Sequence, residues 1–346
     1  MKINRFLLLA ACTLLPVALL AVPPISRQNP LPALPGGGQV ITSSNAGSLQ
    51  SLGRINVDVH TIIWKPDGRE VAFLYFLQPV EVRNARNLQY LRTFGDGLRL
   101  TCFAYHPKTH LVAYCERRPG AFVQLFDTAS GKSIQLNRAN EDPDIAFSPD
   151  GQYLAIGGLQ QLITLRNATT GKLLKVIKAG GAEGGLSLVF SPDSTLLAAG
   201  NRNDATTLFQ VATGKKVLTL PKKMTQELRF SPDGKTLAVA YVDGNIGLWN
   251  VADGKLLHMV KSGNEVYTLD WSPKGNLLVT AGLNSKITLW DPKTMTVLKQ
   301  LPSPEWVISA RFSPDGTRLL TAGGTRNLSP GRKVQVWGIP QTVRKR

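Results

Sequence analysis

The chain has 346 residues, 43% of them hydrophobic, and carries 40 Lys and Arg against 23 Asp and Glu for a net charge of +17. That apolar content excludes a chain too polar to build a core, and its length fits either two ordinary domains or one large repeat fold. The positive balance disfavours an acidic surface and suits polyanionic surroundings: acidic lipid, acidic envelope polymer, nucleic acid or an acidic partner. A soluble basic surface without a specific partner is the bland alternative.

In chain order, Lys2 and Arg5 form a positive n-region, and Phe6 to Val22 is apolar apart from Cys12, Thr13 and Pro16. Residues 1–22 therefore read as a signal peptide or membrane anchor. Leu19-Leu20-Ala21 offers a cleavage site. The run of 17 residues is at the lower limit for a span. Leu9-Ala10-Ala11-Cys12 looks like a lipobox, although the long apolar run after Cys12 is the wrong layout for one. Cleaved, retained or lipidated, the folded part is expected outside the cytoplasm: periplasmic, envelope-associated or secreted. Residues 23–38, ending at Gly36-Gly37-Gly38, are rich in Pro and Gly and read as a linker.

From residue 39 the chain is repetitive. The unit is clearest from Phe230 to Val260, where short apolar runs alternate with Ser-Pro-Asp-Gly and Asp-Gly turns. That alternation predicts an antiparallel four-stranded meander of about 40 residues, too small to bury its own faces. Its aromatic-x-Pro anchor recurs at Trp64, Tyr105, Phe147, Phe190, Phe230, Trp271 and Phe312, with spacings of 41, 42, 43, 40, 41 and 41. A constant period of this size is the signature of propeller blades, and seven anchors predict seven blades in an all-β fold over residues 39–340. The seventh repeat ends at Val334-Gln335-Val336-Trp337 without a fourth strand, whereas Ile41 to Ile55 is apolar-patterned with no blade of its own. The N-terminal strand (about 41–55) is therefore expected to complete the last blade, because an open ring would leave a strand edge unpaired. Residues 341–346 form a basic tail.

These repeats resemble the WD-repeat β-propeller family. The family's Trp-Asp pair is matched by Trp290-Asp291 and Trp249-Asn250, less well by Phe126-Asp127 and Trp337-Gly338, and has drifted at Arg166-Asn167 and Phe209-Gln210. Its Gly-His pair is absent. The His–Ser/Thr–Trp hydrogen-bond network of that family is accordingly not expected, which leaves blade cohesion to apolar packing. The resemblance implies a seven-bladed ring used for protein–protein interaction.

Chemistry-bearing residues are sparse. Placing Tyr105 opposite Val112 in the second blade puts Cys102 directly across from Cys115, as a cross-strand disulfide or as two buried thiols. His60, His106, His110 and His258 have no partner at metal-ligand spacing, and His106 and His110 read as residues of a solvated turn. Ser and Asp recur in turn after turn, which marks them as turn residues rather than catalysts. No metal or cofactor is expected.

Basic residues gather at Arg83, Arg86 and Arg92, at Arg117-Arg118, at Lys215-Lys216 and Lys222-Lys223, and in the longest insertion, 323–333, with Arg326, Arg332 and Lys333. The Arg117-Arg118 connection and the 323–333 insertion occupy the same place in their blades and should emerge on one face, as binding loops or as a solvated rim. The expected function is a non-enzymatic exported scaffold, a monomeric ring that binds a protein or an anionic envelope polymer or lipid surface. Nucleic acid is disfavoured by export and by the lack of stacking aromatics. The alternative is a propeller enzyme (hydrolase, lactonase or oxidoreductase) with its site in the central channel. That reading needs three or more carboxylates or imidazoles to converge there, and Asp58, Glu227, Glu265 and Asp270 look few and unpaired.

Overall fold

The computed structural model describes residues 38–340 except 58, 76–77, 96–97, 99, 117–121, 139–143, 158–161, 180–186, 201–202, 204, 264, 304 and 325–332. The signal or anchor segment, all but the last residue of the linker, and the basic tail lie outside the described residues.

Twenty-eight strands form seven four-stranded antiparallel sheets. Blade 1 is β2 (Val59–Trp64), β3 (Glu70–Tyr75), β4 (Val80–Asn84) and β5 (Tyr90–Phe94). Blade 2 is β6 (Leu100–Tyr105), β7 (Leu111–Glu116), β8 (Phe122–Asp127) and β9 (Ser133–Arg138). Blade 3 is β10 (Ile145–Phe147), β11 (Tyr153–Gly157), β12 (Leu162–Asn167) and β13 (Leu173–Lys178). Blade 4 is β14 (Ser187–Phe190), β15 (Leu196–Gly200), β16 (Ala205–Gln210) and β17 (Lys216–Lys223). Blade 5 is β18 (Thr225–Phe230), β19 (Thr236–Tyr241), β20 (Asn245–Asn250) and β21 (Leu256–Lys261). Blade 6 is β22 (Val266–Trp271), β23 (Leu278–Gly282), β24 (Lys286–Asp291) and β25 (Thr296–Pro302). Blade 7 has β26 (Trp306–Phe312), β27 (Arg318–Gly324) and β28 (Lys333–Gly338), and its outer strand is β1 (Gln50–Asn56) from the other end of the chain.

The closing pair has Ile55 opposite Val334 and Ser51 opposite Trp337, with a bulge between Ser51 and Gly53. The strand proper is shorter than the apolar segment that announced it. Before it, Ala46–Ser48 makes one 3-10 turn, while Ile41 bonds to Gly316 O at 2.8 Å and is fully buried.

The core lies between blades rather than within them. Each of seven buried apolar clusters spans one junction, for example Ala238, Leu248, Leu269 and Trp271 between blades 5 and 6. Ile55, Val334, Leu320, Ile62 and Phe73 do the same between blades 7 and 1. Middle strands are covered on both faces and read as continuous apolar runs, as in Leu237-Ala238-Val239-Ala240-Tyr241, all buried. Outer strands have one free edge and are largely exposed.

The Ser-Pro-Asp-Gly turns are built alike. Ser231 Oγ donates to Asp233 Oδ1 at 2.6 Å and accepts Thr236 N at 3.0 Å, and Ser313, Asp315 and Arg318 N repeat this at 2.6 and 3.0 Å. Gly234 and Gly316 adopt φ of 71° and 70°, the left-handed region in which only glycine is unstrained. In blade 2 a histidine replaces the serine. His106 is only 3% exposed; its Nδ1 accepts Lys108 N and Thr109 N at 3.1 Å, and Nε2–H donates to Gly151 O of blade 3 at 3.0 Å. The expectation of a solvated turn is corrected for His106, whereas His110 is exposed as expected. Two accepted amide protons fix this tautomer, and burial lowers the imidazole pKa from its usual value.

Blade cohesion is also more polar than expected. Half of the Trp network survives without its histidine: Trp290 Nε1 donates to Thr280 Oγ1 at 2.8 Å and Trp337 Nε1 to Thr321 Oγ1 at 3.0 Å. In blade 5 Tyr241 Oη takes the threonine's place, 2.9 Å from Trp249 Nε1.

Candidate functional site

The seven first strands of the blades (β2, β6, β10, β14, β18, β22, β26) line the central channel, whose cavity measures about 870 Å³. Aligning them on the aromatic anchor exposes a pattern that single-blade inspection misses. Three residues before the anchor stand Thr61, Cys102, Asp144, Ser187, Glu227, Thr268 and Ser309. This side chain accepts a main-chain N–H from the next blade at four junctions. Asp144 Oδ2 takes Leu188 N (2.7 Å), Glu227 Oε2 takes Leu269 N (2.8 Å), Thr268 Oγ1 takes Ala310 N (3.1 Å), and Ser309 Oγ takes Ile62 N (3.1 Å). The position is a polar staple between inner strands, and the last of these bonds closes the ring from blade 7 to blade 1.

One residue before the anchor the series is Ile63, Ala104, Ala146, Val189, Arg229, Asp270 and Arg311. The channel is therefore apolar at this level along blades 1–4 and charged along blades 5–7. Glu227 Oε1 is held by Arg229 Nη2 at 2.6 Å and by Arg311 Nη2 at 2.5 Å, and Arg311 Nη1 also donates to Thr268 Oγ1 at 2.7 Å. Asp270 Oδ2 accepts Phe312 N at 2.9 Å, and its Oδ1 faces Arg229 Nε at 4.0 Å.

Burial pushes the Glu227 carboxyl up, but Arg229 and Arg311 together outweigh it and hold the group below the ordinary range. Asp144 is farther from the guanidiniums, and burial pushes it up to about 6 although Leu188 N and Ile145 N favour its charged form. Burial likewise raises Asp270 against the pull of the two arginines.

Two family models match within the second half of the ring. Residues 188–266 match the model described as the anaphase-promoting complex subunit 4 WD40 domain, and residues 241–340 match that of eukaryotic translation initiation factor eIF2A. The chain belongs to the WD-repeat β-propeller family. The matches start in β14 and end beyond β28, so they cover the blades that keep Trp249, Trp290 and Trp337 and leave the more diverged first three blades unmatched.

Within this WD-repeat propeller the residues picked from sequence have separate fates. Glu227 and Asp270, which looked unpaired, are the centre of the channel network; Asp58 lies outside the described residues. Glu265 sits within hydrogen-bond reach of Tyr267 Oη at 3.4 Å. Asp144 was missed, since it precedes the three-residue β10 and follows Glu141-Asp142-Pro143, which reads as an acidic turn rather than a strand. Arg117, Arg118, Arg326 and Arg332 lie outside the described residues. Lys333 is the first residue of β28, paired with Gly323 and Asn56. The flanking ends of β7 and β8, and of β27 and β28, nevertheless hold equivalent places in their sheets.

The basic group in blade 1 does not form a cationic patch. Arg83 is buried against Glu81 at 2.8 Å, Arg92 makes a bidentate pair with Glu70 at 3.0 and 2.6 Å, and only Arg86 stands exposed. Among the described residues no group of three or more His, Cys, Asp or Glu is arranged to hold a metal ion. Asp144, Glu227 and Asp270 do share one sector of the channel, but two guanidiniums and four main-chain N–H groups occupy their oxygens.

Cys102 and Cys115 face one another across β6 and β7 with Cα atoms 5.0 Å apart and their sulfurs in bonding contact. We expect this pair to be oxidised. Intact mass should rise by two hydrogens, about 2 Da, on reduction, and Cys102→Ser/Cys115→Ser should lose at most about 3 kcal/mol of stability in urea titrations. An unchanged mass under reductant would show two free thiols.

Proposed function

We propose that this WD-repeat propeller is a non-enzymatic scaffold, exported from the cytoplasm, that holds a protein partner on the end of the ring bearing the β7–β8 and β27–β28 connections. One observation carries the reading: the charged groups of the channel wall are engaged in binding blade to blade. Glu227, Asp270 and Asp144 all accept main-chain N–H groups across blade junctions. Chemistry thus serves cohesion at the centre, and variation is concentrated in the connections, where binding evolves on rigid scaffolds. The basic n-region and apolar run at the start of the chain, with two cysteines placed to bond, support export.

The test is capture from an envelope extract at low and high salt, with the intact chain and with Arg117→Ser/Arg118→Ser/Arg326→Ser/Arg332→Ser. The intact chain should retain a partner that the variant loses, and high salt should weaken retention. Identical captured sets from both chains would refute the loop assignment.

A second reading is favoured by the joint presence of two carboxylates, Asp144 and Glu227, and two guanidiniums, Arg229 and Arg311, around a cavity of about 870 Å³. It is a channel enzyme. Turnover of an ester or lactone that disappears in a folded Asp144→Asn variant would establish it.

A further inference from the structure

The outer strands of the blades carry a second kind of asymmetry. Each of β1, β5, β9, β13, β17, β21 and β25 contains at least one Lys or Arg, and none contains Asp or Glu. Along blades 3–5 this basic wall is studded with exposed aliphatic residues. Leu173, Leu174, Val176, Val217, Leu256 and Leu257 are 45–57% exposed. Lys172, Lys178, Lys215, Lys216, Lys255 and Lys261 are exposed among them. In the turn before β21 a carboxylate meets one of these lysines: Asp253 lies 3.2 Å from Lys255.

The patch is continuous from blade to blade. Lys175 Nζ bonds to Ala212 O at 2.5 Å, which ties the third blade's outer strand to the turn before β17. A Cβ on Gly254 would meet Leu218 at 2.6 Å, so the turn before β21 packs against the fourth blade's outer strand in the same way.

We propose that the outer wall of blades 3–5 is a docking surface for an anionic lipid bilayer. Its charges are all lysines, mobile point charges on long apolar stems, and the stretches 172–178, 215–220 and 255–261 contain no Arg, Trp, Tyr or Phe. Protein interfaces are enriched in those four residues and depleted in Lys. Half-exposed leucines and valines on the outer wall of a ring gain little from a hydrophilic polyanion, but can enter the headgroup boundary while lysines meet anionic headgroups. This surface is separate from the loop-bearing end, so the proposal goes beyond the scaffold reading and stands or falls independently of it.

The test is site-resolved lysine acetylation of the full chain with vesicles of phosphatidylcholine alone or mixed with phosphatidylglycerol. Lys2 and Arg5 also favour anionic vesicles, so the site-resolved pattern and the wall variants below, rather than binding as such, report the wall. With anionic vesicles, labelling of Lys172, Lys216 and Lys261 should fall roughly threefold or more, while Lys274 in a blade 6 turn is unchanged. Leu173→Ser/Leu174→Ser/Leu256→Ser/Leu257→Ser, which alters exposed side chains only, should keep its melting temperature and lose most of that protection. Lys172→Gln/Lys216→Gln/Lys261→Gln should do the same, read at Lys178 and Lys215. Equal labelling with both vesicles would overturn the proposal. So would protection that survives in the leucine variant and is reproduced by soluble heparin, which would mark a polyanion surface instead.

Discussion

A chain lacking residues 39–56 will not unfold as one cooperative unit and will aggregate at concentrations where the intact protein stays in solution. The deletion removes β1, the outer strand of blade 7, and with it Ile41, Leu49 and Ile55, which are 0%, 2% and 7% exposed. Three fully buried aliphatic side chains at about 1.5–3 kcal/mol each give a loss of roughly 5–9 kcal/mol, comparable to the whole stability of an ordinary domain. The damage extends further because β28 would present its N–H and C=O groups unpaired, an edge that invites pairing between chains. Gln335 also donates its side-chain amide to Gly53 O at 2.8 Å and to Ser51 Oγ, so the closing strand is held by more than its ladder. Calorimetry and sedimentation velocity are the measurements. A truncated chain with the melting profile and sedimentation of the full-length one would show that the ring does not depend on this closure. A milder variant, Leu49→Ala, should cost about 2–5 kcal/mol while preserving the ring.

What is legible in the sequence follows from repetition. The aromatic anchors set the period, the period set the number of blades, and a missing fourth strand beside Trp337 set the closure. Each is local, because a turn or strand is specified by residues within a few positions of one another. The channel network is not local in that sense. Glu227 meets Leu269 N, Asp270 meets Phe312 N and Asp144 meets Leu188 N, each across one full repeat. Such partners can be found from sequence only by stacking the repeats and reading one column. That column (Thr61, Cys102, Asp144, Ser187, Glu227, Thr268, Ser309) is polar or small throughout, a signal that no single repeat carries. His106 shows the opposite difficulty. A histidine doing a serine's work departs from the motif, and only its two accepted amide protons reveal the equivalence. Thr280 and Thr321 were equally hidden, since the loss of the family's Gly-His pair suggested that the whole Trp network had gone, whereas the indole needs only an acceptor on the neighbouring strand.

The channel gives the sharpest energetic expectation. Glu227 is 8% exposed and neutralises two guanidiniums, of which Arg311 lies 2.5 Å away and Arg229 2.6 Å. Glu227→Gln keeps the shape and an acceptor for Leu269 N but leaves the two cations with Asp270 as their nearest remaining carboxylate, and removal of one partner from a buried pair typically costs about 3–5 kcal/mol. Glu227→Gln/Arg311→Gln should recover part of that loss, so the coupling in the double-mutant cycle should be favourable. The pH dependence separates this group from its neighbours. The folded-state pKa of Glu227 is depressed, so its contribution is fully present above the usual glutamate value of about 4.3 and is lost as pH falls through the lower folded value. Asp144 has the opposite sign: raised to about 6, its charged form opposes folding above that pH, and acidification from there toward about 4 relieves the cost. Urea midpoints measured between these limits should therefore show the deficit of Glu227→Gln constant above about pH 5 and shrinking below about pH 4. Asp144→Asn should instead remove the gain in stability between pH 6 and about pH 4. A Glu227→Gln deficit under about 1 kcal/mol would mean that solvent in the channel already screens the pair, and one that does not shrink in acid would mean that the cost does not come from the ionised carboxylate.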